Sequence, residues 1–196
     1  MSKRLIAVLL LLVLPPVLEA EVTILLEPKS HEGYEIRDGK IYFRKGSAGM
    51  ILEPVGNEAI ARYYSERGSQ LGNPFSNLGG DMQQSTIFLL TLLNRTNGNL
   101  TFTPRYVTMK IRTEAYFPMD FTVLLQYTEG LDSYTQQVLQ KSVFHQPELV
   151  QPGKVVSKFL IFPALPKKFD DVTLEFDYLY FESSELKPHF FFTRKK

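Results

Sequence analysis

Neither cysteine nor tryptophan occurs in this 196-residue chain, and its charges nearly cancel, with 22 basic residues against 21 acidic ones. Each absence removes a class of chemistry. Without cysteine there are no disulfides, thiol nucleophiles, iron–sulfur clusters, cysteine zinc sites or lipoprotein-type acylation. Near neutrality argues against nucleic-acid binding by bulk charge, which needs a basic excess concentrated somewhere along the chain. The three histidines, His31, His145 and His189, stand far apart and show no HxxxH, HExxH or HxH spacing. A zinc site built from them would need distant loops and carboxylates such as Glu32 or Glu148, so they read as surface or loop residues. A nucleophile elbow is missing as well. The nearest approximation, Gly68-Ser69-Gln70-Leu71-Gly72, reads as a helix terminator followed by a connector. No glycine-rich stretch precedes Lys-Ser or Lys-Thr at phosphate-loop spacing. The sequence thus offers no catalytic, cofactor-binding or metal-ligating residues, and the expectation is a protein that is not an enzyme.

What is present begins with an export pattern. Lys3 and Arg4 precede an unbroken apolar run from Leu5 to Leu14, Pro15 and Pro16 end any helix, and Val17-Leu18-Glu19-Ala20 follows. This arrangement predicts a signal peptide over residues 1–20, cleaved after Ala20. A spanning helix needs about 20 apolar residues, so no transmembrane segment is expected after cleavage. Losing residues 1–20 removes two basic residues and one acidic one, which takes the formal charge from +1 to zero. An exported chain without disulfides fits a bacterial periplasm or cell exterior better than a eukaryotic secretory route.

The remainder reads as short strands. Tyr34-Glu35-Ile36-Arg37 and Lys40-Ile41-Tyr42-Phe43 flank Asp38-Gly39, a strong hairpin signal. Met50-Ile51-Leu52, ending at Pro54, suits an edge strand. Asn57 is placed to cap a helix that carries Ile60, Tyr63 and Tyr64 on one side and stops at Gly68. A polar connector then runs to Gly79-Gly80. Beyond it, Thr86 to Leu93 is apolar on both faces, as a strand covered on each side would be. Further strands are expected at Leu100–Phe102, Tyr106–Arg112, Phe121–Tyr127, Val155–Phe162, Val172–Phe181 and Phe190–Thr193. Ser133-Tyr134-Thr135-Gln136 matches a capping box and predicts a helix from Tyr134 to Phe144, with Tyr134, Val138 and Leu139 inward. In Val172–Phe181 the alternation places Val172, Leu174, Phe176, Tyr178 and Tyr180 on one face.

So many strands separated by turn signals, with few helices between them, predict a mainly β fold. The expected architecture is an immunoglobulin-like antiparallel β-sandwich over residues 81–196. One or two short helices accompany it, and residues 21–80 form a hairpin and helix segment packed on it. Residues 81–193 also resemble the immunoglobulin-like domains of uncharacterised exported bacterial proteins. The motifs concerned are Leu92-Leu93-Asn94 before a polar turn, Thr101-Phe102-Thr103-Pro104, and Gln151-Pro152-Gly153 before Lys158-Phe159-Leu160-Ile161-Phe162. The resemblance implies a sandwich without the antibody-type Cys and Trp hallmarks, and it transfers no catalytic residue.

Three surface features remain. Asp170, Asp171, Glu175 and Asp177 form an acidic cluster that lacks a D-x-D-x-D-G calcium loop, and it reads as a solvated strand face with neighbours such as Lys158. Asn94-Arg95-Thr96 and Asn99-Leu100-Thr101 are glycosylation sequons, accidental in a bacterial setting. Aromatic residues crowd the last twenty positions, and alternation sends Phe181 and Phe191 to the face away from the main core. Either the helix bearing Tyr63 and Tyr64 covers them, or Tyr63, Tyr64, Phe181 and Phe191 belong to an apolar patch for a partner. The leading expectation is a periplasmic or secreted, non-catalytic binding or structural module of the cell envelope. It would bind an unknown protein or envelope component, not nucleic acid, through a sheet edge or an aromatic patch. The alternative is an envelope-polymer hydrolase using paired carboxylates.

Overall fold

A computed structural model of the chain describes residues 26–77, 84–181 and 184–195. The expected signal peptide lies outside the described residues. Strands β2 (Tyr34–Arg37) and β3 (Lys40–Lys45) meet at Asp38 and Gly39, whose φ values of 49° and 74° are the pair of positive angles that the tight hairpin turn requires. β4 (Ala48–Pro54) pairs with β3 on one side and with β5 (Ser85–Asn94) on the other. The strand expected at an edge is therefore interior. Pro54 is tolerated because it stands on the last rung of the ladder. β10 (Val155–Ala164) lies beyond β5, giving the order β10-β5-β4-β3-β2. The β4–β5 ladder crosses the expected boundary at residue 80, so the first strands extend a sheet instead of resting on its face.

A second sheet has the order β1 (Leu26–Pro28), β14 (His189–Arg194), β11 (Asp171–Phe176), β7 (Val107–Ile111) and β8 (Glu114–Tyr116). A third, smaller one orders β13 (Ser184–Leu186), β12 (Leu179–Phe181), β6 (Leu100–Phe102) and β9 (Glu148–Val150). Every ladder in the three sheets is antiparallel. The fold is mainly β, with three α-helices among the described residues.

One apolar core lies under all three sheets. Phe88, Leu90 and Leu92 of β5, Val107 and Met109 of β7, Phe190 and Phe192 of β14, and Leu100 and Phe102 of β6 meet there, each essentially without exposure. Their period of two is what a pleated strand with one buried face imposes. A second cluster covers the opposite face of the β5–β10 pair. There Ile87, Phe159 and Ile161 pack against α1 (Asn57–Ser65), α2 (Phe121–Thr128) and α3 (Ser133–Ser142) through Ile60, Tyr63, Tyr64, Leu124 and Leu139. β5 is thus buried on both sides, as its unbroken apolar run predicts. Each such side chain contributes about 1.5–3 kcal/mol by leaving water.

The helices differ from expectation at their starts. Phe121–Thr128 is a helix where a strand was expected. A short apolar run fits either period, and Asp120 decides the matter by accepting a hydrogen bond from the Val123 amide at 2.9 Å. Asp132, not Ser133, caps α3, accepting from the amide and hydroxyl of Thr135 at 3.0 and 2.6 Å. The buried side of α3 is Thr135, Leu139 and Ser142, so Tyr134, expected inward, is 57% exposed. At α1 the cap position belongs to Gly56. Asn57 instead accepts from Asn73 at 2.9 Å, tethering the connector whose Phe75 is buried in the second cluster. Gly68 ends this segment with φ of 75°, as expected.

β10 closes one edge of its sheet, and that edge is sealed. The carbonyl of Ser157 accepts from the Tyr63 hydroxyl at 2.8 Å, that of Phe159 from the Phe144 amide at 2.9 Å, and that of Ile161 from the Met119 amide at 2.7 Å. Three donors from irregular or helical chain thereby occupy alternate carbonyls that a further strand would need.

Candidate binding surface

The alternation begun in β11 does not continue to Phe181. Val172, Leu174 and Phe176 are buried, but Tyr178 takes a left-handed conformation with φ of 53°, and Leu179 turns inward in its place. The chain passes here from the second sheet to the third. Tyr178 and Tyr180, expected on the core face, are therefore 49% and 38% exposed. The physical reason is a change of phase: one residue outside the extended region reverses which side chains face in. Leu179 is the more apolar candidate for the interior, and its position, out of step with Val172, Leu174 and Phe176, is the signal that could have revealed the break.

Three tyrosines result in a row. The Tyr178 ring lies 4.5 Å from that of Tyr106 and 6.4 Å from that of Tyr180. Arg105 backs the row, its guanidinium 4.7 Å from the Tyr106 ring centre and donating to the Tyr106 hydroxyl at 2.6 Å. The backbone is held on both sides of the turn. Asp177 donates its amide to the Tyr106 carbonyl at 3.1 Å, and Tyr178 donates its amide to the Glu185 carboxylate at 3.1 Å. Lys187 lies 3.3 Å from Glu185 and 4.0 Å from Asp177, and the Glu185 carboxylate holds its ammonium above the ordinary lysine value. On the third sheet, Tyr180 pairs with Thr101 and Thr101 with Leu149, itself 54% exposed. The rings thus border a solvent-facing stretch of sheet.

Tyr63, Tyr64, Phe181 and Phe191, which the sequence offers for a partner, do not form one surface. Tyr63 and Tyr64 are 7% and 2% exposed and pack on Phe159, with ring centres 4.5 and 5.9 Å from it. Their hydroxyls are used internally: Tyr63 bonds Ser157, and Tyr64 lies 2.6 Å from the Ser142 hydroxyl. Burial pushes both phenols above the usual tyrosine value. They cannot present themselves to a partner, because α1 spends its apolar side on the sheet beneath it. Phe181 is half-buried against the main core. Phe191 does face away from that core, half-covered, with its ring 4.6 Å from that of His31. The helix bearing Tyr63 and Tyr64 covers Phe159, Ile87 and Ile161 instead.

The acidic cluster is divided among lysines. Asp171 pairs with Lys29 at 2.9 Å, Glu175 with Lys110 at 2.6 Å, and Asp177 faces Lys187, whereas Lys158 pairs with Glu148. Among the described residues, no three of His, Asp and Glu gather as metal ligands would. Two hollows bear on the paired-carboxylate chemistry. One of about 140 Å³ between α2 and α3 is lined by Leu124, Leu125, Gln136 and Leu139 and carries no acid. The other, a groove of about 600 Å³ beside Phe117, Met119, Val123 and Tyr127, holds Asp120 alone. Neither brings two carboxyl groups together. Of the sequon asparagines, Asn94 is fully buried and donates to the carbonyls of Gly98 and Val150 at 2.8 and 2.7 Å, while Asn99 is exposed.

No helix of the described residues is long and apolar enough to cross a membrane. The chain matches no known family model, no curated protein and no solved structure.

Proposed function

We propose that the chain is an exported, non-catalytic binding or structural module of a bacterial cell envelope, with an immunoglobulin-like sandwich as its scaffold. The shared core beneath three antiparallel sheets supports the scaffold, and the leader-like residues 1–20 support export. The observation that carries the binding role is the exposed pair Tyr178 and Tyr180, with the half-buried Tyr106 ring beside Tyr178. Tyrosine is a residue of choice for recognition, because it offers a large, rigid, amphipathic ring at small entropic cost. Of the two modes expected from the sequence, the aromatic patch is favoured over an edge of the first sheet. One edge, β10, is sealed by hydrogen bonds, and the edge strand β2 carries the ion pair of Glu35 with Arg37, a guard against strand addition.

Co-sedimentation of the full chain with isolated bacterial envelopes tests this reading. Retention is expected, and replacement of both Tyr178 and Tyr180 by alanine is expected to abolish it. Retention that ignores both rings overturns the reading.

A further inference from the structure

Tyr178 occupies a conformation that a bulky residue adopts only at a cost. Three non-glycine residues among those described have positive φ. Asp38 sits in a hairpin turn that favours it, and Arg112 joins β7 to β8. Tyr178 is the aromatic one, where the Cβ conflicts sterically in the left-handed region and glycine or asparagine would be the easier choice. The chain needs the left-handed turn to bring Leu179 inward, but it does not need a phenol ring there. That ring is half exposed, so it adds little to the core. A strained residue whose side chain points to solvent is a pointer to function, since strain persists where the surroundings over-determine it. Here they do: Asp177, Glu185 and Tyr106 each hold the turn or its ring in place.

The charge around the ring narrows the ligand. Lys187 lies against both Asp177 and Glu185, and Arg105 is bound to the Tyr106 hydroxyl, so two cations stand with two carboxylates around the rings. A polyanion would gain from the two cations only to be opposed by the two carboxylates, and a polycation would meet the converse. What suits such a site is a neutral ligand with an apolar face for the rings and hydroxyl groups for the fringe. A sugar ring has both, since its C–H face stacks on an aromatic ring while its equatorial hydroxyls reach outward to hydrogen-bonding groups. The carboxylates accept from hydroxyls, and the ammonium and guanidinium donate to them. The rings of Tyr178 and Tyr180 are open to solvent and not enclosed, which fits successive units of a polymer better than one small molecule.

We infer that Tyr178 and Tyr180, backed by Tyr106 and Arg105 and fringed by Asp177, Glu185 and Lys187, form a binding platform for a neutral polysaccharide. This rests on the binding-module reading and names its ligand class. The platform is preorganised, because its central ring is fixed before the ligand arrives.

Affinity electrophoresis of the full chain in gels containing β-glucan, mannan or dextran, with heparin as the anionic control, tests the inference. Retardation by at least one of the three neutral polymers and not by heparin is the expected result. Tyr178→Gly is expected to weaken that retardation about tenfold while leaving the fold intact. Tyr180→Ala should weaken it independently, and Tyr134→Ala, which removes an equally exposed tyrosine elsewhere, should not. Retardation by none of the neutral polymers, or by heparin alone, overturns the inference. If envelopes still retain the protein through Tyr178 and Tyr180 in that case, the ligand class is wrong and the binding-module reading stands. If retention ignores the rings as well, both fall. A Tyr178→Gly protein that fails to fold would show the ring to be structural and would also overturn the inference.

Discussion

Tyr63 and Tyr64 lie under α1 with their rings on Phe159 and their hydroxyls bonded to Ser157 and Ser142, whereas Tyr178 and Tyr180 stand half exposed at a break between two sheets. Both pairs come from segments that also carry buried apolar side chains. The first pair sits on relaxed helical backbone and is completed by the protein itself. The second includes a residue in left-handed backbone and leaves both rings partly in solvent. Residue type therefore does not tell a structural tyrosine from an available one. The phase of the backbone does, together with whether the hydroxyl finds an internal partner.

The comparison is broken most severely on the buried side. Phe159 is fully buried and touches Tyr63, Tyr64 and Phe75. Phe159→Ala is expected to lower the unfolding free energy in urea titration by about 3–5 kcal/mol. A loss near that of a surface change would mean that the helical layer contributes little to the fold.

Alkaline titration separates the two tyrosine groups by a smaller amount. Burial raises the Tyr63 and Tyr64 phenols, so the unfolded chain releases these protons first. Their contribution is complete below about pH 10, the unfolded tyrosine value, and is lost as pH rises through the folded values. Stability measured by urea unfolding should therefore fall above about pH 10. Tyr64→Phe should cost about 1 kcal/mol at neutral pH through the lost Ser142 bond and should flatten the alkaline fall. An equally steep fall in that variant would place the titrating group elsewhere.

Arg105→Ala sharpens the exposed side. The guanidinium lies over Tyr106 at a site where arginine is solvent-exposed, so its removal should change thermal stability by no more than about 1 kcal/mol. Envelope retention is expected to weaken, because Tyr106 then supports Tyr178 less firmly. Unchanged retention would reduce Arg105 to a bystander.

Much of this arrangement was legible in the sequence. The Asp38-Gly39 hairpin follows from the positive φ that both turn positions need, and the double burial of β5 follows from its unbroken apolar run. Local patterns failed where a single polar side chain chose between two periods. Phe121–Tyr127 alternates as well as it cycles, and only the bond from Val123 to Asp120 makes it a helix. At α3 the capping-box pattern points to Ser133, but Asp132 one residue earlier takes the cap, and Tyr134 faces solvent. The exposed tyrosine row was hidden for a related reason. Alternation over Val172–Phe181 assumes an uninterrupted strand, and the left-handed turn at Tyr178 belongs to no glycine or asparagine that would announce it. Strands β2 to β4, residues 34–54, join the first sheet through long-range pairing of β4 with β5, which no local pattern carries.

The most direct test of the central claim is Tyr178→Gly, with unfolding free energy and envelope retention measured on the same protein. Relief of left-handed strain against loss of the Tyr106 contact should leave stability within about 1 kcal/mol of wild type, while retention falls about tenfold. A loss of stability well beyond that range, or retention equal to wild type, would contradict the assignment of Tyr178 to recognition.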